Sequence, residues 1–187
     1  MYIQLVSLHG LLRGDGIEMG RDADTGGQVR YVLELAKTLG KLDQVSQVDL
    51  FTRRIRDRRV SPDYAEEIEE LGPKCRIVRL PCGGGRYFRK ERLWPFVDEY
   101  VDAMISFTRR ERRTPTVVHG HYADAGYVAK EVASAFDVPF VFTGHSLGKP
   151  KLEYLLREGW TEEAANKELA LGRRIEVEQE CLSVADL

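Results

Sequence analysis

Apolar residues fall into two alternating rhythms along this chain. Tyr2-Ile3-Gln4-Leu5-Val6-Ser7-Leu8, Val45 to Thr52, Cys75-Arg76-Ile77-Val78-Arg79-Leu80, Thr116-Val117-Val118-His119 and Pro139-Phe140-Val141-Phe142-Thr143 are short apolar runs rich in strand formers, as in buried strands. Between these runs the apolar positions recur at helical spacing. Val29, Val32, Leu33, Ala36 and Leu39 share one face, with Arg30, Glu34 and Lys37 between them and Gly40 at the stop. Val97, Val101, Met104, Ile105 and Thr108 share a second face, on a helix starting near Pro95. Ala125 to Phe136 predicts a third helix, and Thr161 caps a long one running to about Val184. The acidic segment around Tyr64 to Leu71 also reads as helical. Strands alternating with helices predict one α/β domain, its parallel sheet covered on both faces. Ligands bind such sheets beyond the carboxyl ends of the strands.

The loops at those ends carry the candidate chemistry. His9 to Thr25 is a long loop holding Gly10, Gly14, Gly16 and Gly20, and it feeds Gly26, Gly27 and Gln28 at a helix start. A nicotinamide dinucleotide site needs a tight glycine turn there instead, so that cofactor class is not expected. Asp24 and Thr25 offer capping oxygens, while Gly26 and Gly27 clear room for a ligand. Unpaired N–H groups and the positive end of the helix dipole make an anion the expected guest. His145 directly follows the fifth strand beside Gly144, accessible to bond a substrate hydroxyl or carry a proton. His119 and His121 are taken as pointing to opposite strand faces without a third ligand, so no metal is expected. His119 is expected to be buried and satisfied by a neighbour. Arg86, Lys90, Lys149, Lys151, Arg173 and Arg174 lie on or beside the same loops, which points to a phosphate-bearing ligand.

Charge and cysteines narrow the class. Lys plus Arg total 28 against 30 Asp plus Glu, a net charge of -2 that argues against a general nucleic-acid binder. The run Arg53-Arg54-Ile55-Arg56-Asp57-Arg58-Arg59 reads as a solvated loop rather than an RNA patch. Three cysteines, odd in number and without zinc spacing, fit a reducing cytosol. Neither a secretory leader nor a membrane span is legible, so a cytoplasmic location is expected.

Val6-Ser7-Leu8-His9-Gly10-Leu11, Gly20 to Gln28, His119-Gly120-His121-Tyr122-Ala123-Asp124-Ala125-Gly126 and Thr143-Gly144-His145-Ser146-Leu147-Gly148 together resemble the sucrose-phosphate synthases. These are retaining glycosyltransferases of family 4 with the two-domain GT-B fold. Cys82-Gly83, Lys90-Glu91, Leu93-Trp94-Pro95 and Arg173-Arg174-Ile175-Glu176 extend the likeness over nearly the whole chain. The resemblance implies a Rossmann-like, doubly wound, mostly parallel sheet. Residues 1–187 would form the N-terminal, acceptor-binding half, with the nucleotide-sugar domain absent. It also implies transfer of glucose from UDP-glucose to fructose 6-phosphate without a cofactor or metal. Gly26 and Gly27 would approach the donor diphosphate. Gln28, Lys90, Tyr122, Ser146, Lys151 and Arg174 would hold fructose 6-phosphate, and His145 would contact the transferred glucose. Tyr127, Pro150 and Gly83-Gly84-Gly85-Arg86 depart from the family pattern. Sucrose synthase and mannosylfructose-phosphate synthase are the enzyme alternatives, and a standalone sugar-phosphate-binding module the non-enzyme one. Ala185-Asp186-Leu187 reads as the start of a further strand, so a longer protein is expected.

Overall fold

A computed structural model describes residues 1–187. The strands are β1 (Tyr2–Val6), β2 (Gln47–Arg53), β3 (Ile68–Gly72), β4 (Cys75–Leu80), β5 (Val117–His121) and β6 (Phe140–Thr143). They form one sheet in the order β3-β4-β2-β1-β5-β6, parallel except for β3 at one edge. All five residues of β1 are buried, which explains a run that is apolar on both faces except at Gln4. The chain winds outward from β1 through β2 to β4, then crosses back to β5 and β6. The reversal therefore falls between β1 and β5, where departing loops diverge and leave a crevice.

The helices are α1 (Gly27–Leu39), α2 (Val97–Arg110), α3 (Ala123–Phe136), α4 (Gly148–Arg157), α5 (Glu162–Leu169) and α6 (Leu171–Val184). Ile3 and Leu5 face α1 and join Val32, Leu33, Val48 and Leu50 in one core. Val6 faces the other way and joins Phe51, Val78, Tyr100, Met104, Val128 and Val177 in the larger core beneath α2, α3 and α6. At Gly120 a β-carbon would lie 2.7 Å from the Ala125 carbonyl and the Gly126 Cα, so only glycine lets α3 start this close to β5.

Four expectations require correction. The acidic segment is not a helix: Pro62–Ala65 is a short 3-10 turn, and Ile68–Gly72 pairs antiparallel with β4. Arg79, fully buried on β4, pairs with Glu69, and this contact across the β3–β4 hairpin overrides local helical preference. Exposed Glu70 and Ile68 alternate with the inward positions, and the edge stays charged. The long helix after Thr161 is two helices, although Thr161 Oγ1 does accept from Ala164 N–H at 3.1 Å. Ala170 breaks it with a left-handed backbone (φ 49°, ψ 35°), and the Asn166 side-chain oxygen accepts from Gly172 N–H at 2.6 Å. Lys149 to Lys151 belongs to α4 and not to a loop; Pro150 sits in the first turn, where its missing N–H leaves no hydrogen bond unmade. Arg53 is not solvated. It lies buried in β2, donating to the carbonyls of Cys82 (3.2 Å) and Arg86 (2.7 Å), whereas Arg56, Arg58 and Arg59 are exposed.

No helix is long and apolar enough to cross a membrane. The tail bonds to the open edge of β6, with Asp186 N–H donating to the Phe140 carbonyl at 2.9 Å and Phe142 N–H to the Leu187 carbonyl at 3.1 Å.

Candidate functional site

Gly26 and Gly27 open α1 at the carboxyl end of β1, above the crevice. No side chain caps this helix. Asp24 and Thr25 have other partners, contrary to the capping expectation. Thr25 Oγ1 accepts from Asp22 N–H at 2.9 Å, and the buried Asp24 carboxylate accepts from Lys90 N–H at 2.8 Å while pairing with its ammonium. Val29 N–H donates to the Gly26 carbonyl at 3.2 Å, and the N–H groups of Gly27 and Gln28 are left open. A β-carbon on either glycine would meet no atom within 4 Å, and Gly26 has an ordinary φ of -88°. Neither packing nor backbone shape demands glycine here, and both positions leave the helix start open to close approach. The Gln28 amide reaches across the crevice toward Ser7 Oγ (3.5 Å) and the His121 carbonyl (3.4 Å).

The histidines do not behave as the strand reading predicted. Residues two apart on a strand share a face, so His119 and His121 lie side by side with ring centres 4.0 Å apart. His119 Nε2 bonds Thr143 Oγ1 at 2.8 Å, the expected satisfied histidine. His121 is fully buried, and its Nδ1 lies 3.2 Å from Nε2 of His145. Burial first, then the neighbouring histidine or histidines, pushes His119 down to about 4 and His121 to about 2. Burial, then His9, lowers His145 as well, so all three rings are neutral near pH 7. His9 is the exception: burial opposes its charge, but Asp124, 3.0 Å from Nδ1, raises its pKa above the ordinary value.

Tyr122 starts α3 with a φ of 76°, its N–H donating to the Thr143 carbonyl at 2.8 Å. Its ring meets His9 edge-on at 4.6 Å and lies 4.3 Å beneath the Arg174 guanidinium. Arg174 is buried and held through two of its three nitrogens. Its Nε donates to Glu178 at 2.7 Å, and its terminal nitrogen donates to the Ser146 carbonyl and to Ser146 Oγ (3.1 Å). Glu178 in turn accepts from Gly148 N–H at 2.6 Å, tying α6 to the start of α4. Lys90, Tyr122 and Arg174 line one narrow cleft together with Glu91, Trp94 and Asp124. Lys90 is paired with Asp24 and Glu91. Lys151 has no carboxylate partner; burial first, then Lys90 and Arg174, lowers its pKa.

The fold thus gathers Gly26, Gly27, Gln28, Lys90, Tyr122, His145, Ser146, Lys151 and Arg174 at one end of the sheet. Arg173 stays outside, its guanidinium 5.9 Å from the rings of both Trp94 and Tyr127. Arg86 and Lys149 are exposed. Glu178 and Tyr31 are site residues that the sequence reading missed, and Asp24 serves Lys90 rather than the helix start it was assigned to cap. Tyr31 lies one helical turn after Gly27 and packs edge-on to His145 at 5.2 Å; the four-residue spacing was the available signal.

The family model described as "Glycosyl transferase 4-like domain" matches residues 26–183. Sucrose-phosphate synthase 4 of Arabidopsis thaliana is 43% identical over 209 residues, and a sucrose-phosphate synthase of Spinacia oleracea 40% over 215. Each alignment covers 100% of this chain but only 20% of the relative. Among solved structures, the sucrose-phosphate synthase of Thermosynechococcus elongatus superposes with a TM-score of 0.75 at 26% identity, covering 99% of this chain and 41% of that one. The matched family region begins at Gly26, the uncapped helix start, and runs through both histidine loops to α6. The chain belongs to the glycosyltransferase 4-like family, and its fold is that of a sucrose-phosphate synthase domain.

Proposed function

We propose that residues 1–187 form the acceptor-side, N-terminal domain of a sucrose-phosphate synthase that transfers glucose from UDP-glucose to fructose 6-phosphate with retention. Lys151 carries the reading. It is a partly buried cation without a carboxylate, beside Lys90 and Arg174, at the end of the sheet where ligands bind. A phosphate dianion there would supply the missing counter-charge and favour protonated Lys151. Tyr122, Ser146 and Gln28 offer hydroxyl and amide groups to the sugar around it.

The open start of α1 suits the donor diphosphate. Charge grows on that group as the glycosidic bond breaks, and first-turn N–H groups held in place by the helix stabilise it without reorganisation. The acceptor hydroxyl can then attack from the face the diphosphate leaves, and the diphosphate can take its proton, so retention requires no protein nucleophile. Neutral His145 holds the transferred glucose. A second domain, beyond the residues described, would close over the nucleotide. The intact protein incubated with UDP-glucose and fructose 6-phosphate is expected to yield a phosphorylated disaccharide. Its absence, with another acceptor used efficiently, would overturn the assignment.

A further inference from the structure

His121 is fully buried and its Nε2 has no hydrogen-bond partner. Its other nitrogen, Nδ1, faces Nε2 of His145 at 3.2 Å, so one ring donates and the other accepts. The two possibilities differ in what they leave buried. If His145 donates, His121 must carry its own proton on Nε2, where a buried N–H would find no acceptor. If His121 donates from Nδ1, its Nε2 is a bare lone pair. Orphaned buried N–H groups are the rarer outcome, and the second arrangement avoids one.

We propose that His121 is a positioning residue: its Nδ1–H donates to Nε2 of His145 and holds that ring as the Nδ1–H tautomer, a hydrogen-bond donor for the substrate sugar. This rests on the reading that His145 contacts the transferred glucose. Several contacts keep the pair in place. His119 packs 4.0 Å from the His121 ring and is itself held by Thr143. Tyr31 closes edge-on against His145 at 5.2 Å and His121 at 6.0 Å. Burial keeps His121 neutral, so it has a single proton to place. His145 is left with Nδ1–H as its free donor, able to bond a sugar hydroxyl oxygen but not to accept a proton there.

Nitrogen-15 spectra of the intact, histidine-labelled protein test the tautomer, with a His145→Gln spectrum assigning the His145 signals. The expected result is pyrrole-type Nδ1 and pyridine-type Nε2 on His145; the reverse pattern would overturn the proposal. Kinetics test the positioning role. The amide of His121→Asn falls near the Nδ1 position and can still donate, whereas that of His121→Gln falls near Nε2. His121→Gln is expected to lower kcat by about 10- to 100-fold, the usual cost of losing an orienting partner. The acceptor KM should hold, and His121→Asn should recover most of the loss. Equal losses in both variants, or none in either, would refute positioning. Unchanged transfer by His145→Gln would instead sink the reading of His145 beneath it, while the spectra still decide the tautomer.

Discussion

The two anion-facing regions of the site are built on opposite plans. At the start of α1 the protein has removed everything: no side-chain cap, no β-carbons, no acidic residue in the first turn. Around Arg174 and Lys90 it has filled every position, pairing each cation with a buried carboxylate before any ligand arrives. The difference teaches how a site can meet the cost of burying charge. Backbone dipoles need no counter-ion and can wait uncovered. A buried guanidinium cannot wait, so Glu178 neutralises it and Ser146 shares it. Lys151 lies between these plans, a cation left without its partner.

The comparison breaks first, and most visibly, at Arg174. Arg174→Met in the intact protein is expected to cost about 3–5 kcal/mol of stability, because Glu178 becomes an unpaired buried carboxylate. Arg174→Lys should recover little, since an ammonium cannot reproduce the fork that spans Glu178 and Ser146. Urea denaturation measures both, and a loss below about 1 kcal/mol would mean the network is incidental. Lys151→Ala sharpens the middle case. It should raise the KM for fructose 6-phosphate roughly ten- to hundredfold, as expected for losing a charge-assisted bond of about 1.5–3 kcal/mol. Stability and the KM for UDP-glucose should hold; an unchanged acceptor KM would remove the phosphate site from Lys151. The smallest effect has the opposite sign. Gly27→Ala should stabilise the protein by about 0.5–1 kcal/mol, since its β-carbon meets nothing. It should also lower kcat/KM for UDP-glucose about tenfold by standing where the diphosphate approaches. Stabilisation without kinetic loss would show that the open helix start is unused.

The five parallel strands were legible because buried strands keep apolar residues on both faces, and β1 does so at every position but Gln4. The antiparallel edge β3 was not. Ile68-Glu69-Glu70 becomes a strand only through β4 and the buried Arg79, a contact ten residues along the chain. Gly148-Lys149-Pro150 looks like a loop, yet Glu178 receives its first N–H and α6 supports it as a helix start. The positions of the site cations could be read from the order of strands and loops. The partner of Lys90 could not, because Asp24 meets it only in three dimensions; Glu178, four residues after Arg174 on one helix, was open to reading by its spacing. The histidine pair needed no structure to be placed correctly, only the two-residue period of a strand.

Tyr122 and His145 both hold left-handed backbones, at φ 76° and 56°, a region that L side chains rarely adopt. Each such residue stores about 1–3 kcal/mol of strain. Glycine would release it at either position, yet in a loop set as rich in glycine as this one the two strained positions carry aromatic rings. The fold therefore holds part of its free energy as tension just beyond the carboxyl ends of β5 and β6. A protein selected only to hold together would relax there; this one keeps the rings and stays taut.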